Sequence, residues 1–361
     1  MVVPIAKPLM GDEEKRAVLE VLQSGILAQG PKVEEFEKRF AEFIGVKHAI
    51  ATSNGTTALQ VALLARGIGP GDEVITTPFS FIATANAIKM TGAVPVFVDV
   101  EEHSFNINPG LIEKVITPKT KAIMPVHLYG KAANIDKIVA LAKKHNLVVI
   151  EDACQAHGAE FAGKKVGSFG DGCFSFYPTK NMAVGEGGMI TTNDDQVAKK
   201  ARMLINHGSE RRYYHDFVGY NYRMTDISAA IGVEQLKKLP LFNEKRRKNA
   251  AFLTENLRKI KGIICPETIG GHVFHQYTIR VTSEFPLSRE MVLEVLKEEG
   301  IGSSVFYPVP IHKQKAYPEY SSQSFPVTER LAQEVISLPV HPALSNQDLK
   351  HIVETFKEMS G

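Results

Sequence analysis

Short apolar runs recur through the first two-thirds of the chain, at His48–Thr52, Glu73–Thr77, Val94–Val98, Lys121–Pro125, Leu147–Glu151, Cys173–Phe176 and Met189–Thr192. Between most of them lie segments with helical spacing. In Asn134–His145, the residues Ile135, Ile138, Val139 and Ala142 recur at i, i+3, i+4 and i+7, which puts them on one helical face. Runs that are apolar throughout, such as Leu147-Val-Val-Ile150, predict strands buried on both sides. Such strands belong to a mainly parallel sheet covered by helices.

The pattern changes after about Pro240. Glu244–Ile260 predicts a charged helix with a narrow stripe of Leu253, Leu257 and Ile260. Val273–Val281 alternates, with Val273, Tyr277, Ile279 and Val281 on one face of an expected strand. A helix over Arg289–Glu299 should end at Gly300. These elements predict a large domain over residues 1–240 and a smaller α+β domain over 241–361.

Composition narrows the function classes. With 42 basic and 40 acidic side chains the net charge is +2, which argues against nucleic acid or an anionic membrane as the main partner. The cluster Lys245-Arg-Arg-Lys248 reads as a solvated helix face. The longest uncharged stretch, Val74–Ile88, is 15 residues and contains Thr, Ser, Pro and Asn, whereas a membrane span needs about 20 mostly apolar residues. Cys154, Cys173 and Cys265 are an odd number without a C-x-x-C pair. The expectation is a cytoplasmic protein in a reducing compartment, with no zinc site.

Two apparent nucleotide motifs fail on inspection. Gly158–Lys165 approaches a P-loop, but Lys165 stands where a magnesium-binding Ser or Thr is needed. Gly67-Ile-Gly-Pro-Gly71 lacks the dinucleotide spacing, and its proline makes it a turn. His272 and His275 have no evident third metal ligand and read as structural.

Four other segments combine into a chemistry. Ser53-Asn-Gly-Thr-Thr57 opens a helix, so it is either a plain N-cap or a phosphate site made of free amides and a dipole end. Glu151-Asp152 ends the most apolar strand, where α/β proteins place ligands. A carboxylate there could face a metal, a ribose or a protonated ring nitrogen, or cap a helix. Phe174–Asn181 carries Lys180 in a loop rich in Pro and aromatics, followed by the glycines of Gly185–Gly188. Pro78-Phe-Ser-Phe-Ile82 offers Phe81 as core or as a flat cover for a ring. Together they provide what pyridoxal phosphate needs: amides for the phosphate, a carboxylate for the ring nitrogen, a lysine for the aldehyde and an aromatic face.

The stretches Asn54-Gly-Thr, Pro78–Ala85, Pro125-Val-His-Leu-Tyr-Gly130, Glu151–Ala159, Phe174–Asn181 and Gly219-Tyr-Asn-Tyr-Arg-Met224 resemble the DegT/StrS family over nearly the whole chain. Members of that family are mostly pyridoxal-phosphate-dependent aminotransferases of nucleotide-linked keto sugars. The resemblance implies fold type I, the aspartate aminotransferase fold, with a seven-stranded, mostly parallel sheet. It implies Lys180 as the Schiff-base lysine, Asp152 at the ring nitrogen, Gln155 near the ring hydroxyl and Phe81 stacked on the ring. Gly55, Thr56 and Ser175 match phosphate contacts of the cofactor, and Asn221 matches a phosphate contact reaching in from a second subunit, so a homodimer with shared sites is expected. His157, Tyr307 and His312 fall in segments near the sugar, and Arg223 is the candidate for the diphosphate. Cys154 stands where Ala is usual. Retention of Lys180 disfavours the dehydratase branch, in which His replaces it.

The expected reaction takes an amino group from glutamate to the keto sugar. Arg211–Asp216 and Gly219–Met224 are similar to branches that aminate a 4-keto sugar, whereas Tyr307–His312 is similar to branches that aminate C3. Another reaction of the same cofactor, or a regulatory protein on the same fold, are the alternatives.

Overall fold

The computed structural model describes residues 2–267 and 270–361. Its centre is a seven-stranded sheet of β1 (His48–Thr52), β2 (Glu73–Thr76), β3 (Val94–Phe97), β4 (Thr120–Ile123), β5 (Val148–Asp152), β6 (Asp171–Ser175) and β7 (Gly188–Thr192). The spatial order is β1-β7-β6-β5-β4-β2-β3. Pairs among β3, β2, β4, β5 and β6 are parallel, and β7 runs antiparallel to both β6 and β1. Each strand lies within two residues of its apolar run.

Helices cover both faces, as fully apolar strands require. On one face α1 (Asp12–Ser24) and α2 (Pro31–Ile44) lie against a longer helix described below, with Phe36 and Phe40 packed on Phe174 and Phe176. On the other, α3 (Gly55–Ala65) buries Leu59, Val61, Ala62 and Leu63 against Ile50, Ile150, Cys173 and Ile190. Each large apolar side chain so enclosed contributes about 1.5–3 kcal/mol. After β2 comes α4 (Ala83–Met90), and α5 (Ile135–Lys144) buries the Ile135, Ile138 and Ala142 stripe that its spacing predicts.

A second core gathers Leu253, Leu257, Ile279, Val292, Leu296, Ile336 and Phe356 around a three-stranded antiparallel sheet of β8 (Ile263–Ile264), β9 (Tyr277–Val281) and β10 (Val335–Leu338). Val3, at the start of the chain, lies in this core and bridges to Ile301. Gly300 adopts φ +71° after the helix Arg289–Glu298, the left-handed stop its position predicts.

Three details depart from the sequence reading. The helix expected from Glu244 starts at Asp226 and runs to Leu257, through Pro240. The change of pattern there marks new neighbours along one helix, not a break. The strand expected from Val273 starts at Tyr277. Residues Val273 and Gln276 bond instead to the Tyr129–Gly130 turn, and Phe274 takes φ +43°, so Val273 packs in the first core. Arg246, read as solvated, is buried and donates to the carbonyls of Phe274 and His275 at 3.1 and 3.3 Å. Among the described residues no helix is long and apolar enough to cross a membrane.

Candidate active site

The carboxyl ends of β1, β2, β5 and β6 converge on a cavity of about 570 Å3. It is lined by Gly55, Thr56, Ser80, Phe81, Thr84, Asp152, Cys154, Gln155, Ser175 and Lys180, with His275, Gln276 and Tyr307 reaching in from the C-terminal part. A parallel sheet leaves such a crevice where the chain exits its strands on different sides.

At one end the N-terminus of α3 opens into the cavity. Asn54 caps it: its Oδ1 accepts from the Thr57 amide at 2.9 Å, and its carbonyl accepts from Ala58 at 3.1 Å. The first amides of a helix have no partner within it, so Gly55 and Thr56 keep theirs for a ligand. The N-cap and phosphate readings are therefore compatible. A Cβ on Gly55 would meet Ser175 Cβ at 2.6 Å and Cys154 Sγ at 3.0 Å, so this position is a cradle that fits glycine.

Two adjacent carboxylates end β5 and behave differently. Glu151 is fully buried and accepts from His127 Nε2 at 3.0 Å and from the amides of Gly167, Phe169 and Gly170, each at 2.8 Å. His127 Nδ1 accepts from the Ala133 amide, so its proton is on Nε2 and it donates as a neutral ring. Four donors saturate the Glu151 carboxylate. Asp152 faces the cavity and accepts from Thr84 Oγ1 at 2.8 Å and the Cys154 amide at 3.2 Å, which leaves lone pairs for a ligand. Its backbone is pinned by two bonds, Asp152 N to Pro125 O and His127 N to Asp152 O.

Gln155 bridges two parts of the chain. Its Oε1 accepts from the Tyr129 amide at 2.9 Å and its Nε2 donates to Tyr307 Oη at 3.1 Å. The Tyr129 hydroxyl also donates to the Phe306 carbonyl, so the Phe306–Tyr307 loop is fastened to the turn that follows β4. Phe81 is exposed, and its ring centre lies 6.1 Å from that of Tyr307. Burial pushes the Tyr307 hydroxyl well above its ordinary range, so it remains a donor.

Lys180 is half-buried. Burial pulls its ammonium below the usual lysine range, while Cys154 and Asp152 oppose the shift. The loop behind it is held by Asn181, whose Nδ2 donates to Asn243 Oδ1 at 2.8 Å and Val273 O at 2.9 Å. Burial, with Asp152, drives the Cys154 thiol well above its usual range, so it stays protonated.

Several expected site residues lie elsewhere. His157 is enclosed between Phe174 and Phe176 at 5.5 and 5.6 Å and does not line the cavity. Burial, then Lys180, lowers its pKa to about 3, so it is a neutral core imidazole. His312 is buried against Phe325 and paired with Glu329 at 2.9 Å, also outside the cavity. Asn221 is exposed and bridged to Asn206, and Arg223 donates to Asn206 Oδ1; neither lines the cavity of its own chain.

The sequence reading missed Ser80 and Thr84, and it took His275, which lines the cavity, for a structural residue. Ser80 and Thr84 sit in the Pro78–Ile82 segment and just beyond it, with no local signal that sets them apart from an ordinary turn, and the expected strand gave His275 no reason to face the cavity. Burial, then Lys180 and Arg246, drops the His275 pKa well below the usual histidine range. His272, by contrast, stacks on Phe274 at 3.8 Å as a structural residue.

The donor set fits pyridoxal phosphate: a glycine cradle with two free amides and Ser175, a carboxylate with spare acceptor capacity, a lysine of lowered basicity and an open aromatic face.

The DegT/DnrJ/EryC1/StrS aminotransferase family model matches residues 8–357. A "Pleiotropic regulatory protein" from Geobacillus stearothermophilus is 45% identical, over 96% of this chain and 94% of the relative. A "GDP-perosamine synthase" from Caulobacter vibrioides is 41% identical, over 99% of this chain and 98% of the relative. The crystal structure of ntda from Bacillus subtilis with bound cofactor PMP superposes with a TM-score of 0.91 at 35% identity, over 96% of this chain and 81% of that one.

Proposed function

The chain belongs to the DegT/DnrJ/EryC1/StrS aminotransferase family, and from that premise we propose that it moves an amino group from glutamate to a nucleotide-diphosphate-linked keto-6-deoxy sugar, at C4. It is an aminotransferase of fold type I and works with pyridoxal phosphate. The observation that carries the reading is the meeting of Lys180, Asp152 and the α3 N-terminus in one cavity.

What the cofactor supplies when bound is a carbonyl to carry the amino group and a ring that withdraws electrons. The residues of this chain do the rest. Gly55, Thr56 and Ser175 bind the phosphate. Asp152 keeps the ring nitrogen protonated through a charge-assisted bond. Gln155, itself held by Tyr129 and Tyr307, orients the ring hydroxyl. Phe81 covers the ring face. Lys180 is the general base and acid that moves the proton at the reacting carbons, and its lowered basicity favours the neutral amine needed for that task.

Tyr307 takes the sugar side of the cavity. Arg223 and the exposed Arg211–Asp216 hairpin, where Arg211 lies over Tyr214 at 4.6 Å, take the diphosphate and nucleotide. The resemblance matches Asn221 to a phosphate contact from a second subunit, and neither Asn221 nor Arg223 lines the cavity of its own chain, which is compatible with their serving the site of a second copy in a two-fold dimer. The enzyme works in the cytoplasm and needs neither nucleic acid nor membrane.

A product assay with glutamate and a panel of nucleotide keto sugars tests the proposal. A 4-amino product supports it, a 3-amino product moves the position, and amination of a free 2-keto acid in place of nucleotide sugars overturns it. The regulatory name of one relative raises a second reading, a protein without turnover. Absence of a glutamate half-reaction would favour it.

A further inference from the structure

We infer that Ser80 and Thr84 form a directed hydroxyl chain that positions Asp152 for the ring nitrogen of the cofactor. Ser80 Oγ lies 2.9 Å from Thr84 Oγ1, and Thr84 Oγ1 lies 2.8 Å from Asp152 Oδ2. All three side chains are at least nine-tenths buried and line the cavity.

The direction of the chain follows from proton counting. An ionised carboxylate is an acceptor only, so the Thr84 hydroxyl donates to Asp152. A hydroxyl has one proton, so in the Ser80–Thr84 bond Ser80 is the donor. Each bond then polarises the next. The chain grips one carboxylate oxygen, and the Cys154 amide, at 3.2 Å, grips the other. The carboxylate plane is thus set from both sides, with lone pairs left on the cavity side.

The placement also has a structural origin. Ser80 lies in the bend that follows β2 and Thr84 in the first turn of α4, and the turn between them brings the two hydroxyls together. Asp152 ends β5 and is pinned to Pro125 and His127 through its backbone. The chain therefore ties the exit of β2 to the exit of β5 across the intervening β4. A carboxylate free to rotate would lose its aim at the ring nitrogen, so Ser80 and Thr84 are positioning residues.

The inference rests on the pyridoxal phosphate reading and is independent of the sugar. The test compares wild type with Thr84→Val, Thr84→Ser and Ser80→Ala. Three quantities are measured: the dissociation constant for pyridoxal phosphate, the position of the visible absorption band of the loaded protein, and the thermal midpoint of the cofactor-free protein. Thr84→Val keeps the volume and removes the donor. It should weaken cofactor binding about tenfold, the worth of one hydrogen bond to a charged group at its lower end, and shift the visible band. Thr84→Ser should restore both. Ser80→Ala should move both readouts the same way by about two- to threefold, and it decides the question alone if Thr84→Val does not fold. A Thr84→Val or Ser80→Ala protein with wild-type affinity and band position overturns the inference. So does a loss confined to the thermal midpoint that Thr84→Ser leaves uncorrected. Failure of the wild-type protein to bind pyridoxal phosphate would instead overturn the cofactor reading.

Discussion

The cavity at the strand ends and the segment Asn206–Arg223 carry equally functional residue types, yet the fold treats them differently. In the cavity Asp152, Gln155, Thr84 and Ser80 are buried, and each has a hydrogen-bond partner. In the segment Tyr213, Tyr214 and Val218 are exposed, and the arginines Arg211 and Arg212 have the rings of their neighbours Tyr214 and Tyr213 beneath them. A group that must act on a small, fixed ring is best held by its own chain before the ligand arrives. A group that meets a long, flexible nucleotide sugar can be supplied by another surface. The contrast divides the molecule into a cavity whose polar side chains are already fixed by their own chain and an exposed strip that, on the proposed reading, serves the site of a second copy.

The sharpest way to break this division is at Lys180. Lys180→Ala should reduce the glutamate half-reaction by more than about a thousandfold, the scale of a lost general acid–base group, and abolish the visible band of the lysine-bound cofactor. A variant retaining substantial turnover would move the chemistry off the cavity floor. Borohydride reduction that joins the cofactor to another lysine would do the same.

Arg223 tests the strip. If it serves the diphosphate, Arg223→Ala should raise KM for the nucleotide sugar by about tenfold to a hundredfold, the worth of a charge-assisted bond of roughly 1.5–3 kcal/mol. The glutamate half-reaction should be nearly unchanged. Equal damage to both half-reactions would make Arg223, which donates to Asn206, a residue of the fold. Sedimentation at the assay concentration supplies the second arm, since an active monomer would remove the need for a second copy.

The two regions were also unequally legible in the sequence. The sheet was readable because strands buried on both faces cannot hide their apolar runs, and all seven appear close to the expected residues. For Asp152 and Lys180 the local pattern marked a strand end and a Pro-rich loop but left their roles open; the family resemblance assigned those roles, and the structure brings both residues into one cavity. Burial defeated the reading of His157. A histidine near a functional motif looks available in sequence, but two phenylalanine rings enclose it. His275 failed in the opposite sense, because only tertiary pairing of Val273–Gln276 with the Tyr129–Gly130 turn removes it from a strand and delivers it to the cavity. The partners of Asp152 were missed for a similar reason: Thr84 lies 68 positions away in the chain, a distance that no local pattern spans.

The cradle at Gly55 gives the next effect in size. A Cβ there would stand 2.6 Å from Ser175 Cβ, and both belong to well-packed backbone segments with little freedom to retreat. Overpacking of this kind costs about 1–3 kcal/mol. Gly55→Ala should therefore weaken binding of pyridoxal phosphate by about tenfold, measured by absorbance titration of the cofactor-free protein. Wild-type affinity would mean that the phosphate does not approach the first turn of α3, and the floor would lose one of its anchors.

The smallest effect concerns the interior beneath the floor, and its sign is fixed by linkage. His157 has an ordinary value of 6.5 when exposed and about 3 in the folded protein, because burial and Lys180 oppose a second positive charge. His272, buried and stacked on Phe274, behaves alike at about 3. Between these values the unfolded chain binds protons that the folded chain refuses. Stability therefore rises with pH through that window and is lost as the solution is acidified, by up to about 1.4 kcal/mol per pH unit for each group. His157→Leu keeps an apolar side chain between Phe174 and Phe176 and removes one titrating site. Its thermal midpoint should fall less steeply than that of the wild type as the pH is lowered from about 6 to about 4, and scanning calorimetry across that range measures the slope. An unchanged slope would mean that His157 takes up its proton in the folded state, which requires water or substrate to reach it. The core assignment would then fail, and His157 would return to the sugar side of the site.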